Sequence, residues 1–152
     1  MAANATIYKV ELQVTDLDRH YYASHALTLA QHPSETETRL LVRLIAFALH
    51  ADERLEFGRG LSDEDEPALW RRDYTGDIEQ WIELGQPDEA RLRNLSVIEL
   101  DDADVGAATE LLGRGMRVTA MIQDGELQLM DADRSVALRP RVRMQDGVAT
   151  PD

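Results

Sequence analysis

Across Pro33 the spacing of apolar residues changes from every second position to every third and fourth. That switch restricts the chain to folds that pack a helix on a sheet. Before it, Tyr8, Val10, Leu12 and Val14 alternate with Lys9, Glu11 and Gln13, the pattern of a strand with one buried face. Asp16 to Arg19 reads as a turn. Tyr21, Ala23, Leu27 and Leu29 then keep to alternate positions, so a second strand folds back on the first. After Pro33, Ser34 is placed to cap a helix, and Glu37 three residues on completes a capping box. Leu40, Leu41, Leu44, Ile45, Ala48 and Leu49 recur at helical spacing and predict a long, mostly buried helix from about Glu35 to about His50.

Shorter signals follow. Leu55-Glu56-Phe57 reads as a short strand ended by Gly58 and Gly60. Pro67 fits the first turn of a short helix carrying Leu69 and Trp70. Arg71 to Gly76 reads as a loop and Asp77 to Leu84 as a strand. Pro87-Asp88-Glu89 opens another helix, with two acids at its positive end. The run from Asn94 to Leu100 suggests a buried strand. Asp101-Asp102 starts a helix through about Leu112, closed by Gly113. Asp124-Gly125 between two alternating runs, 117–123 and 126–131, is a strong hairpin signal. Ser135 to Val142 reads as a last strand, which Pro140 confines to an edge. The expected class is α+β, a mixed central sheet flanked by helices, with an N-terminal and a C-terminal hairpin.

The 152 residues suit one domain spanning 1–152, and no repeat or linker divides them. The absence of cysteine excludes disulfides, zinc–thiolate sites and cysteine nucleophiles. No apolar run is long enough to span a membrane, and the first ten residues lack the apolar core of a signal peptide. A cytoplasmic protein without a membrane partner is expected. The net charge of −13 repels phosphate backbones and argues against broad, non-specific nucleic-acid binding. It is compatible with a divalent cation, which needs clustered carboxylates.

Carboxylates cluster where such chemistry would sit. Between Asp77 and Glu89 stand Glu79, Glu83 and Asp88 and no basic residue, with Asp73 just before and Glu35 at the start of the long helix. Converging acids can hold Mg²⁺ or Mn²⁺ and activate water; the plainer reading is a solvated acidic face with helix caps. His20, His25, His32 and His50 show no metal-ligand spacing. Ser24-His25 lacks a nucleophile elbow, and Gly58-Arg59-Gly60 is not a phosphate loop. Arg139, Arg141 and Arg143 would share one face of the last strand. With Arg117 and Arg134 they would form either a local phosphate-binding stripe or a charged edge that discourages aggregation.

At His32-Pro33-Ser34-Glu35-Thr36, Ala51-Asp52-Glu53-Arg54-Leu55, Gly60-Leu61, Asp65-Glu66-Pro67 and Trp81 to Glu89 (WIELGQPDE), the chain strongly resembles the YaeQ family of bacterial proteins. The similarity continues through Asn94 to Val97 and the Ile122 to Gly125 hairpin. The resemblance implies a variant of the PD-(D/E)XK nuclease core. Glu35 resembles the glutamate of the first core helix, Asp73 (or Asp77) takes the aspartate role, and Glu83 takes the second acidic role. Gly85 stands where the motif lysine is usual. The lysine that follows the Arg-Leu-Arg of the next helix in relatives is Asn94 here. The family continues after Arg91-Leu92-Arg93 with a segment that this chain lacks between Arg93 and Asn94.

Two functions follow from the resemblance and the charge. One is a metal-dependent, nuclease-like phosphodiesterase acting on nucleic acid through a local site. Glu35, Asp73 and Glu83 would bind Mg²⁺ or Mn²⁺, with Arg91, Arg93 and Gln86 as polar and cationic helpers. Arginine steadies an oxyanion but is a poor general base. The other is a non-enzymatic interaction protein on the same scaffold, binding a basic protein partner and offering an edge strand for pairing.

Overall fold

The alternation at the N-terminus builds the first hairpin. The computed structural model describes residues 6–58, 66–84, 95–113 and 115–145, and for 95–97 and 142–145 the backbone alone. Strand β1 (Thr6–Asp16) pairs antiparallel with β2 (Tyr21–Gln31) over its whole length. The turn between them is held by the buried Asp16 carboxylate, which accepts from the Asp18 and Arg19 amides and from Arg19 Nε at 2.6 Å. Tyr8, Val10, Leu12 and Val14 are buried, whereas Lys9, Glu11 and Gln13 are exposed, so one face of β1 is wet.

The helix that follows, α1 (Glu37–Leu49), lies close to the expected span. Its cap is Thr36, not Ser34: the Thr36 hydroxyl accepts from the Arg39 amide at 3.1 Å. Ser34 instead bonds His32 Nδ1 through its hydroxyl, and a tight turn from His32 to Glu35 shifts the helix start by two residues. Leu40, Leu41, Leu44 and Ile45 are fully excluded from solvent. Each such side chain contributes about 1.5–3 kcal/mol on burial.

Strands β3 (Leu55–Phe57), β4 (Leu69–Arg72) and β5 (Ile78–Ile82) form an antiparallel three-stranded sheet in that order. The short helix expected at Leu69 and Trp70 is therefore a strand. Leu69 is fully buried in the core, and Trp70 sits directly opposite Trp81. Pro67 precedes the strand, where its missing N–H removes no ladder bond. The expected loop at Arg71 begins two residues late for the same reason, and the turn is confined to 73–77.

Strand β6 (Leu95–Glu99) precedes α2 (Asp102–Ala108), capped by Asp101, and a 3-10 turn (Thr109–Leu111) completes the helix expected from Asp101 to about Leu112. Strands β7 (Gly115–Gln123) and β8 (Glu126–Met130) form the hairpin at Asp124-Gly125. Both turn residues have positive φ, 53° and 77°, as a two-residue hairpin turn of the favoured twist requires. The Asp18 carboxylate accepts from both their amides and ties the two hairpin turns together.

The expected last strand is broken in two. Strand β9 (Ser135–Leu138) pairs with β8, and β10 (Arg141–Gln145) leaves to pair with β6 in a separate two-stranded sheet. The break falls at Arg139-Pro140, because proline cannot donate to a ladder. Arg139 therefore lies between the strands, and only Arg141 and Arg143 keep alternate positions on one strand, β10. Arg139 pairs with Glu126 at 3.0 Å and Arg117 with Glu11 at 3.3 Å, and Arg134 donates to the Glu110 carbonyl.

The main sheet runs β2-β1-β7-β8-β9, and β1 and β7 are parallel, so it is mixed. The class is α+β, dominated by strands. Among the described residues, α1 and α2 touch each other and the edge strands β2 and β9 of this sheet. One core joins α1 to β1, β2, β7, β8, β9 and Leu69 of β4. Among the described residues no helix is long and apolar enough to cross a membrane. The helix expected at Pro87 lies outside the described residues.

Candidate functional site

Glu35 stands in the short loop between β2 and the Thr36 cap, only 6% exposed. Its carboxylate accepts from Arg39 Nη1 at 2.7 Å, Arg43 Nε at 3.0 Å and Arg43 Nη2 at 2.8 Å. Arg43 is itself 7% exposed, donates also to the Ala30 carbonyl at 2.9 Å, and lies 5.6 Å from the centroid of the Phe57 ring. Burial pulls the Arg43 guanidinium below its ordinary value, and the Glu35 charge opposes that pull. Positions 35, 39 and 43 are four apart, which puts both arginines on the helix face that looks back at Glu35. The sequence held this signal, an acid followed by two arginines at helical spacing.

Asp73 lies at the exposed turn between β4 and β5. Its Oδ1 accepts from the Thr75 hydroxyl at 2.6 Å and from the Thr75 and Asp77 amides, each at 2.9 Å. The Thr75 hydroxyl, and then these amides, hold its carboxyl below the usual carboxylate range. The same hydroxyl is 3.4 Å from Asp77 Oδ2. Glu83 is exposed just past the end of β5. Gly85, Gln86, Arg91, Arg93 and Asn94 fall outside the described residues. Among the described residues no three His, Asp or Glu side chains are gathered so as to hold a metal ion.

The histidines serve packing and turns. His20 adopts a positive φ of 57° in the β1–β2 turn. His25 bonds the Tyr21 hydroxyl at 2.9 Å and meets the Phe47 ring edge-on, while Ser24, its neighbour on the opposite strand face, donates to Gln13. Gln80 Nε2 is 3.3 Å from His50 Nδ1. Burial first, then Arg19 and Arg71, hold His50 below 6.5.

The β4–β5 hairpin carries the most unusual surface. Tyr74 is 92% exposed, Ile78 50% and Trp81 40%. Trp81 packs edge-on against Trp70, with centroids 5.9 Å apart. From Asp73 to Glu83 the hairpin holds Asp73, Asp77, Glu79 and Glu83 and no basic residue. Arg54 reaches in from outside, pairing with Glu79 at 2.5 Å and lying 4.9 Å from the Tyr74 ring centroid. The result is an apolar patch bordered by four acids and three arginines, with Arg72 lying 4.1 Å over the Trp70 ring and opposite Ile78, and Arg71 3.5 Å from Glu79. Large exposed apolar patches with polar rims mark interaction surfaces.

The model of the YaeQ protein family matches residues 1–94 and 90–140. A Salmonella typhi protein described as the uncharacterized protein YaeQ is 41% identical over 174 aligned positions, covering 91% of this chain and 96% of that protein. Its Escherichia coli K12 counterpart is 40% identical over 166 positions, covering 86% and 91%. The crystal structure of a YaeQ protein from Xanthomonas axonopodis pv. citri superposes with a TM-score of 0.88 at 51% identity, covering 93% of this chain and 99% of that one. That of a YaeQ protein from Pseudomonas syringae gives 0.87 at 34% identity, covering 93% and 97%.

Proposed function

The chain belongs to the YaeQ family, and from that footing we propose that it works as a non-enzymatic binding protein whose β4–β5 hairpin docks a basic protein partner. The observation that carries this reading is the patch of Tyr74, Ile78 and Trp81 set among four acids on one hairpin. Aromatic side chains supply the anchoring area of protein interfaces, and a rim of one charge steers a partner of the other. The net charge of −13 extends that field over the molecule. A cytoplasmic setting suits a cysteine-free chain.

The comparisons add support. The alignment to the Salmonella protein spans 174 positions, more than the 152 residues of this chain, and the family model resumes at 90 after reaching 94. We infer that relatives carry an extra segment near position 94, in line with the resemblance, which places the family's lysine there and Asn94 here. Without that lysine, a PD-(D/E)XK-type site would lack its usual cation.

The competing reading is a divalent-metal site of Glu35, Asp73 and Glu83 with Arg91 beside it, acting on nucleic acid. The Asp73–Thr75–Asp77 cluster favours it, since two carboxylates already face one hydroxyl. It requires Glu35 to give up hydrogen bonds to two guanidinium groups in a buried setting.

Affinity capture with the full chain and with Ile78→Ser/Trp81→Ser separates the two. The binding reading predicts one stoichiometric basic protein, lost with the double variant and weakened as salt rises from about 0.05 to 0.3 M. Cleavage of single- or double-stranded DNA or RNA with Mn²⁺, and no such partner, would contradict it.

A further inference from the structure

His50 closes α1, where its backbone N–H donates to the Ala46 and Phe47 carbonyls and its ring is half-buried. In the neighbouring three-stranded sheet, β4 is anchored by Leu69, which is fully buried. Strand β5 lies at the outer edge and, among the described residues, pairs with β4 alone. Its Ile78, Glu79 and Trp81 are exposed, and Gln80 and Ile82 are half-buried. Gln80 Nε2, 3.3 Å from His50 Nδ1, ties β5 to the end of α1. An amide nitrogen only donates, so the ring accepts at Nδ1 and carries its proton on Nε2. Arg19, from the β1–β2 turn, and Arg71, from β4, are the charged groups that act on the ring. The carboxylates around them are engaged: Asp16 with Arg19 at 2.6 Å, Asp52 and Glu79 with Arg71 at 3.6 and 3.5 Å, and Glu79 with Arg54 at 2.5 Å. Among the described residues, Arg71 Nε and Gln80 Oε1 are buried without a hydrogen-bond partner, on residues that stand opposite each other.

We propose that His50 is a pH-operated latch, which holds β5 against the end of α1 while its ring is neutral and releases it when the ring takes a proton. A protonated imidazole is a donor at both nitrogens and cannot accept from Gln80. Turning the Gln80 amide over would offer Oε1 to the new N–H, but would leave Nε2 without a partner in its place. The added charge would also stand as a third cation beside Arg19 and Arg71. The negative end of a helix ordinarily favours a protonated histidine. Here burial first, and then the two arginines, outweigh it and hold the ring below its ordinary 6.5. Once released, the ring returns to its ordinary value and binds a proton more readily. The closed form is therefore fully favoured above about 6.5 and loses its advantage as pH falls through the lowered value. His25 is also held low by burial, but it packs on Tyr21 and Phe47, not on β5. A partner docked on the hairpin would be shed in acid; that consequence rests on the binding reading, and the latch does not.

Trp70 and Trp81, the chain's two tryptophans, face each other across β4 and β5, so the intrinsic fluorescence of the full chain reads this hairpin. Between about pH 8 and about pH 5 the emission is expected to change in one step with its midpoint below 6.5, while the far-UV circular dichroism spectrum keeps its helical signal. His50→Asn keeps a side-chain acceptor but cannot take the proton, and its emission should stay constant over the same range. Arg71→Met removes one of the facing charges and should move the midpoint upward. Titration of the His50 ring by nuclear magnetic resonance in the wild type should coincide with the emission step. Constant wild-type emission, a step that survives in His50→Asn, a His50 ring that titrates at or above 6.5, or loss of the helical signal together with the emission step would each overturn the proposal.

Discussion

Glu35 is tied to its surroundings by two arginines. It is buried, it accepts from two arginines, and its removal would strand the charge of Arg43 in the interior. Replacing it with glutamine is expected to cost about 3–5 kcal/mol in urea denaturation, the usual penalty for orphaning a buried charge. The compensating pair Glu35→Leu/Arg43→Met should recover most of that loss, because apolar groups of similar volume replace buried ion pairs at little cost. A Glu35→Gln protein as stable as wild type would contradict this structural role. The sequence carries two signals at this acid. Motif resemblance pointed to a metal, and the four-residue spacing to Arg39 and Arg43 pointed to arginine. The Asp73 carboxylate accepts within its own turn, from the amides of Thr75 and Asp77, a local use open to an Asp that begins such a turn.

At the level of elements, periodicity was a sound guide where one face is buried. The alternation of β1 and β2, the apolar spacing of α1 and the Asp-Gly hairpin all appear within a few residues of where the sequence puts them. It failed where a few residues carry no period of their own. Leu69-Trp70 reads equally as a helical turn or a strand, and only pairing with β3 and β5 decides it. The cap of α1 failed by two residues, since Ser34 and Thr36 both satisfy capping chemistry and the His32–Glu35 turn selects between them. Thr36→Ala should therefore cost about 1 kcal/mol of stability. Ser34→Ala, at an exposed site outside the helix, should stay within about 0.5 kcal/mol. Equal losses in thermal denaturation, or the reverse order, would return the cap to Ser34.

For the whole molecule, the order of the strands was the least legible feature. The parallel pairing of β1 with β7 joins segments about a hundred residues apart, and no local pattern encodes which strands become neighbours. Placement, local and long-range, also decides where the candidate acids stand. It sets Glu35 behind α1, among its arginines, and puts Asp73 on an exposed turn with Glu83 past the adjoining strand. It also leaves an acidic molecule with an apolar hairpin patch. The binding reading stands on the proposition that these acids serve the fold and its surface, not a cation. Calorimetric titration of Mn²⁺ into the full chain, Glu83→Gln and Glu35→Gln addresses that proposition directly. Indistinguishable heats from wild type and Glu83→Gln are predicted; a stoichiometric wild-type site abolished by both substitutions would contradict it.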